Sequence, residues 1–176
     1  MSASARLHTV ALGVYRRLPT SARRLLVRTI APSYTVGAIV FIERSDGAIL
    51  LVRQSYRRAW GVPGGLLKRG EDVADGARRE VFEETGLAVD LVGEPAVVVE
   101  PDPQRIDVVF RARPAADSDP ADAGPRSPEI VEVCWFLPTD LPDLQAEAST
   151  ALVTLARSAA APSARPLPVP GSTRRT

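Results

Sequence analysis

Cysteine, histidine and lysine each occur once in 176 residues. A single cysteine, Cys134, excludes an internal disulfide and is consistent with a reducing compartment. Its neighbours Val133 and Trp135 give it the pattern of a buried strand residue rather than a reactive thiol. The lone histidine, His8, stands far from the acidic motif described below, which argues against a histidine-based site. Lys68 is the only lysine among 22 basic residues; with the richness in alanine and proline, this reads as the coding bias of a GC-rich bacterial genome. No apolar run approaches the roughly 18 residues that a membrane-crossing helix needs. The uncharged run at 7–15 is short and no small-residue cleavage site follows it, so no secretory signal is expected. A cytoplasmic location is the expectation. A net charge of +1 favours no polyanionic partner as a whole, and nucleic acid has no firm support.

Against these absences stands one dense stretch, residues 65–87, GLLKRGEDVADGARREVFEETGL. Glu80, Glu83 and Glu84 fall at i, i+3 and i+4, so a helix places three carboxylates on one face. Like charges this close repel unless a cation compensates them. Oxygen-only ligands on a rigid element suit Mg²⁺ or Mn²⁺, which take further ligands from substrate phosphates. Asp72 is the expected N-cap, with Asp75 at the positive end of the helix dipole, and Gly86 the expected C-terminal stop. Ala74, Ala77 and Val81 form a small-residue stripe that lets the helix lie close to a sheet. Arg79 is placed to pair with Glu83 or to orient it. Gly64-Gly65 permits a tight backbone turn whose carbonyls approach a metal.

The pattern resembles the Nudix box at every defined position: Gly65, five residues, Glu71, seven residues, Arg79-Glu80, Val81, one residue, Glu83-Glu84, one residue, Gly86-Leu87. Seven fixed residue types at these spacings arise by chance on the order of once in 10⁸ start positions. The resemblance extends over about residues 34–145, including WGVPGG at 60–65 and EVCWF at 132–136. It implies an α/β fold, a Nudix-type α/β/α sandwich with a mixed β-sheet. It also implies Mg²⁺- or Mn²⁺-dependent hydrolysis of a nucleoside diphosphate linked to another moiety.

Three segments are expected: a basic amphipathic helical extension at 1–33, the Nudix domain at 34–160, and a disordered Pro/Arg-rich tail at 161–176. The extension contains no Asp or Glu. Leu7, Val10, Ala11, Val14 and Leu18 make one helical stripe that Pro19 ends. Thr20 or Ser21 caps a second helix, with Ala22, Leu25, Leu26 and Thr29 on its apolar side. The extension has three readings: a helical hairpin packed on the domain or loosely attached to it, a segment lying on an anionic membrane surface, or a transit peptide.

In the domain, residues 34–43 read as a central strand, Ser45-Asp46-Gly47 as a turn, and 48–53 as the strand paired with the first. Residues 88–92 and 96–100 read as strand interrupted by Gly93-Glu94-Pro95, and 106–112 as a further strand. Residues 114–128 form a loop long enough to suggest a mobile segment over the site. Residues 130–137 make the last strand. A closing helix spans 144–160 with Leu144, Ala148, Ala151, Leu152 and Leu155 inward. Trp60 is expected to bury against the helix.

For the chemistry, Glu83 and Glu84 are the first-choice metal ligands. Glu80 either joins them or deprotonates the attacking water, as the corresponding position of the family often does. The Gly65 carbonyl is a further ligand, and Arg79 orients the carboxylates. Glu71 is a secondary ligand or the partner of Arg79. An additional acid is expected downstream: Glu129 first, with Glu132 and Asp107 behind it. Tyr56, Arg57 and Arg58 are the candidates for binding base or phosphates. The substrate is a nucleoside triphosphate or a nucleotide sugar; Pro103, sixteen residues beyond Leu87, matches a position that some family members associate with ADP-ribose. A homodimer is left open. The contrasting reading is a catalytically idle Nudix-fold module that senses a nucleotide or docks a partner.

Overall fold

The computed structural model describes residues 15–31 and 33–160. The proposed stripe from Leu7 to Val14 and the 161–176 tail lie outside the described residues, as does His8. A helical turn at residues 15–17 stops before Pro19, and helix α1 follows at Thr20–Ile30. Its N-cap position is held by Pro19, with no side-chain cap, and not by Thr20 or Ser21. Arg23 ties the two segments, donating to the Leu18 and Arg16 carbonyls at 2.8 and 2.6 Å and lying over the Tyr15 ring.

Strands β1 (Thr35–Ile42) and β2 (Ile49–Gln54) flank the expected turn, in which Asp46 accepts from the Ala48 N–H and Arg44. The strands do not pair as a hairpin. Only Glu43 and Ile49 bridge at the turn; β2 then leaves to pair antiparallel with β6 (Ile130–Phe136). A strand has two edges, and both edges of β1 are occupied. Along one runs β3 (Gly64–Leu66), antiparallel; along the other runs β5 (Arg105–Pro114), parallel. With β4 (Val89–Glu100) they form a mixed four-stranded sheet in the order β3-β1-β5-β4. β4 is one strand rather than two, because Gly93-Glu94-Pro95 bulges out where the register shifts between Val92 and Ala96. Gly93 supplies the positive φ of 72° that the bulge needs.

The two faces of this sheet carry separate layers. Helix α2 (Val73–Thr85) packs Ala77 and Val81, both fully buried, on Ala38, Val40 and Ile42. The opposite face presents Ile39, Phe41 and Val109 to Ala151 and Leu155 of α3 (Ala146–Ala160). The α/β/α arrangement thus follows from the alternation of β1, whose successive residues are apolar on both faces.

Residues 114–128 do not cover the cavity described below. They run along the C-terminal end of α2, where Arg126 and Gly124 donate N–H groups to the Glu84 and Thr85 carbonyls, each at 3.0 Å. A short 3₁₀ turn at Pro120–Asp122 is capped by Asp119, and the Trp135 indole donates to the Pro120 carbonyl. These contacts satisfy carbonyls that a helix end leaves unpaired. Cys134 is exposed, contrary to expectation: Val133 and Trp135 pack against the core, so the residue between them points outward. Trp60 is half-buried and meets Phe136 edge to face, with ring centroids 5.0 Å apart.

Candidate active site

Helix α2 begins as its sequence demands. The Asp72 carboxylate accepts from the N–H groups of Ala74 and Asp75, and Gly86 ends the helix in the left-handed region at φ 74°. Between these ends the acidic face is organised by one cation. Arg79 donates Nε and Nη2 to the two oxygens of Glu71 at 2.7 and 2.8 Å, and its Nη1 reaches Glu80 at 2.7 Å and Glu83 at 3.0 Å. Glu71 also accepts from the Lys68 N–H at 2.7 Å. The Arg79 fork, then that N–H, hold the Glu71 carboxyl down to about 2. Both Glu71 oxygens are therefore engaged, which makes it a brace for Arg79.

Glu84 is different. Its side chain lies under the sheet edge, 8% exposed, and accepts the Gly64 N–H at 3.0 Å. Burial pushes its carboxyl up to about 7, against the pull of that N–H; Glu80, Glu129 and Glu83 add like charge. Glu80, Glu84 and Glu129 line one end of a cavity of about 490 Å³, a volume within the usual range for a small-molecule site. Glu83 does not line it; its side chain is half exposed and sits between Arg79 and Lys68.

Gly64 and Gly65 form the floor. Leu67 N–H to Val36 carbonyl and Val40 N–H to Pro63 carbonyl are bonded pairs, so alternation makes Gly65–Ala38 bonded and turns both polar groups of Gly64 away from β1. Gly64 thus sends its N–H to Glu84 and its carbonyl to the same side, whereas the Gly65 carbonyl faces Ala38. A β-carbon at Gly65 would come to 2.5 Å from the Glu80 carboxyl.

The other end of the cavity comes from the α3 layer and the β2 loop. Tyr56 and Arg57 line it as expected, and Arg57 pairs with Glu147 at 3.2 Å; Arg58 is exposed and does not line it. Of the remaining acids, Glu132 pairs with Arg53 across β2–β6, and Asp107 is buried against Arg105. Neither lines the cavity, so of the three downstream acids expected from the sequence only Glu129 stands beside Glu84. Gln54, Arg105, Gln145 and Glu147 line the cavity without having been singled out in the sequence. Only Arg105 left a sequence signal, its i, i+2 spacing from Asp107 on a strand.

Among the described residues no group of three acids stands ready-formed around a metal position, and Arg79 occupies Glu71, Glu80 and Glu83. Yet Glu84 faces Glu80 and Glu129 with only an N–H for compensation. A buried carboxylate held among like charges calls for a cation.

A family model described as the NUDIX domain matches residues 33–156. The chain belongs to the Nudix family of pyrophosphohydrolases. Among Nudix relatives, a MutT-like protein of Streptomyces ambofaciens is 29% identical over 119 residues, 68% of this chain and 74% of its own length. Human 8-oxo-dGDP phosphatase NUDT18 is 31% identical over 141 residues, 74% of this chain but 41% of that protein. The crystal structure of a Nudix hydrolase from Nitrosomonas europaea superposes with a TM-score of 0.61 at 26% identity, covering 69% of each chain. Family members act on small-molecule nucleotides and generally use divalent metal ions. Among the described residues no helix is long and apolar enough to cross a membrane.

Proposed function

We propose that this Nudix protein cleaves the pyrophosphate bond of a nucleoside diphosphate carrying a further group. Two substrate classes lead: nucleoside triphosphates, oxidised purine nucleotides among them, and nucleotide sugars such as ADP-ribose. The first draws on a Bacillus subtilis relative, a putative 8-oxo-dGTP diphosphatase that is 37% identical over 68 residues, the second on Pro103. The observation that carries the reading is buried Glu84 beside Glu80 and Glu129 in the wall of a nucleotide-sized cavity.

Glu80, Glu84, Glu129 and the Gly64 carbonyl would hold Mg²⁺ or Mn²⁺, with Glu83 at the outer edge. Such a cation neutralises phosphate oxygens and favours ionisation of water near them. Glu80 accepts a proton from the water attacking phosphorus; the bond to the bridging oxygen breaks, and a nucleotide and a phosphorylated group leave. Arg79, anchored by Glu71, keeps Glu80 and Glu83 in register. The flexible-side-chain-free floor at Gly64-Gly65 lets the diphosphate lie against backbone. All four glutamates of the box are present, which favours turnover over an idle sensor.

The test is release of phosphate or nucleotide from 8-oxo-dGTP, 8-oxo-dGDP, ADP-ribose and UDP-glucose with Mg²⁺, wild type against Glu84→Gln. Turnover of one class, lost in the variant and in chelator, is expected. Binding without turnover across the panel would overturn the reading in favour of a sensor.

A further inference from the structure

Arg105 and Asp107 form a dyad that the chemistry above does not use. They sit two apart on β5, so both side chains project on the same face of the sheet, the face covered by α3. Asp107 is 3% exposed and bonds Arg105 Nε through Oδ2 at 2.7 Å. Its other oxygen, Oδ1, is buried with no hydrogen-bond partner. The dyad lies over Gly37, which stands opposite Asp107 in the parallel register. A β-carbon at Gly37 would collide with Oδ1 and approach Arg105 Nη2 to 3.2 Å. A glycine in a strand interior loses side-chain packing and is kept where another group must come close.

The arrangement is costly as structure alone. An ion pair buried on its carboxylate side, with one orphaned oxygen, does little for stability, and an apolar residue in place of Asp107 would serve the core as well. What it does achieve is directional. Holding Arg105 by Nε leaves both Nη groups of the fork without a hydrogen-bond acceptor among the described residues, with Glu100 and Glu147 acting on it only as charges, and Arg105 lines the cavity. The cavity's other cation, Arg57, is already paired with Glu147. The carboxylate cluster comes from the α2 side of β3 and the dyad from the α3 side, with side-chain-free Gly64-Gly65 between them.

We propose that Arg105 is the phosphate clamp of this cavity, binding the substrate phosphate that projects past Gly64-Gly65 away from the carboxylates, and that Asp107 is its positioning residue. The proposal rests on the reading above and names the part of the substrate this end receives: an anionic phosphoryl oxygen pair matched to a planar fork. Gly37 is the notch that admits the pair.

Full-length wild type, Arg105→Gln, Arg105→Lys and Asp107→Asn are compared in two measurements. The first is steady-state kinetics with Mg²⁺ on the substrate that the wild type hydrolyses best. The second is calorimetric binding of ADP-ribose and dGTP in chelator, where only the chain's own groups act. Arg105→Gln should raise KM about ten- to a hundredfold with kcat within about threefold, and weaken metal-free binding by a similar factor. Arg105→Lys should recover part of that loss, since a point charge replaces a fork. Asp107→Asn should raise KM about three- to tenfold. Unchanged KM and unchanged metal-free binding in Arg105→Gln would overturn the clamp, whatever becomes of the Asp107 variant. Absence of hydrolysis by the wild type would sink the proposed function instead, and the chelator binding would still decide the clamp: nucleotide bound by the wild type and lost in Arg105→Gln supports it, and no binding by the wild type ends it.

Discussion

The Gly64 N–H donates to Glu84 Oε2 across the gap between β3 and α2, joining the two elements that carry the site. This bond is the only one the Glu84 carboxyl accepts from the described residues, and burial outweighs it. The carboxyl is raised from an ordinary 4.5 to about 7. The folded chain therefore keeps a proton, between those values, that the unfolded chain releases. Without metal, stability is full below about 4.5 and declines as pH rises through 7, by about 3 kcal/mol from this group. A cation reverses the trend, because it binds the ionised form. The rise in Tm on adding Mg²⁺ should be larger at pH 8 than at pH 6, measured by calorimetry. A rise independent of pH would show that Glu84 is not a ligand.

Glu84→Gln removes the buried charge while keeping the bond from Gly64. The metal-free variant should be more stable than wild type at pH 8 and about equal at pH 4.5. Its activity should fall about a hundredfold or more, since even residues that merely support a ligand cost about ten- to a hundredfold. Denaturant midpoints at the two pH values and initial rates with Mg²⁺ check both halves. Reduced stability at pH 8 would contradict the raised carboxyl.

Arg79→Lys tests the brace. A lysine cannot hold both Glu71 oxygens and reach Glu80 and Glu83 together, as the fork does. Activity should drop about ten- to a hundredfold, with weaker Mg²⁺ affinity. Glu71→Gln should reproduce most of the loss, and the double variant should add little, because the residues act as a unit. Additive losses would show that Glu71 acts by itself.

Gly65→Ala places a methyl group against the Glu80 carboxyl. The expected result is a folded protein with unchanged circular dichroism and activity reduced about tenfold or more, since a displacement of about 1 Å in a catalytic group is costly. Wild-type kinetics in this variant would mean that Glu80 moves aside freely and is not held where it is needed.

Leu87→Ala tests the core rather than the site. Leu87 is 1% exposed and packs in the cluster that backs α2. Truncation should cost about 2–5 kcal/mol, seen as a lower denaturant midpoint. Mg²⁺ should recover part of it by binding only the folded state. A midpoint within error of wild type would place Leu87 outside the core.

The acidic helix could be read in full from residues 65–87 because every feature it needs is local. Asp72 caps, Gly86 stops, and Glu80 and Glu84 share a face by spacing alone. The family could be read for the same reason, and the apolar runs announced β1, β2, β5 and β6. The hairpin of β1 with β2 is not what the chain forms, because strand pairing is not local. Residues 34–53 contain the turn, but not the fact that β3 and β5 claim both edges of β1.

The sequence by itself determined the helix and the shared face of its carboxylates, since covalent spacing and helical pitch set those, and the motif on that helix carried the family. Which acids meet the cavity, and what faces them, only the tertiary structure decided. Glu83 and Glu84 are adjacent in the chain, yet one is half exposed beside Lys68 and the other buried under Gly64. Arg105 lies twenty-one positions beyond Glu84 and on the opposite face of the sheet, and it reaches the same cavity because β3 ends the sheet there. Burial and long-range juxtaposition are properties of packed layers, and no short window of residues contains them.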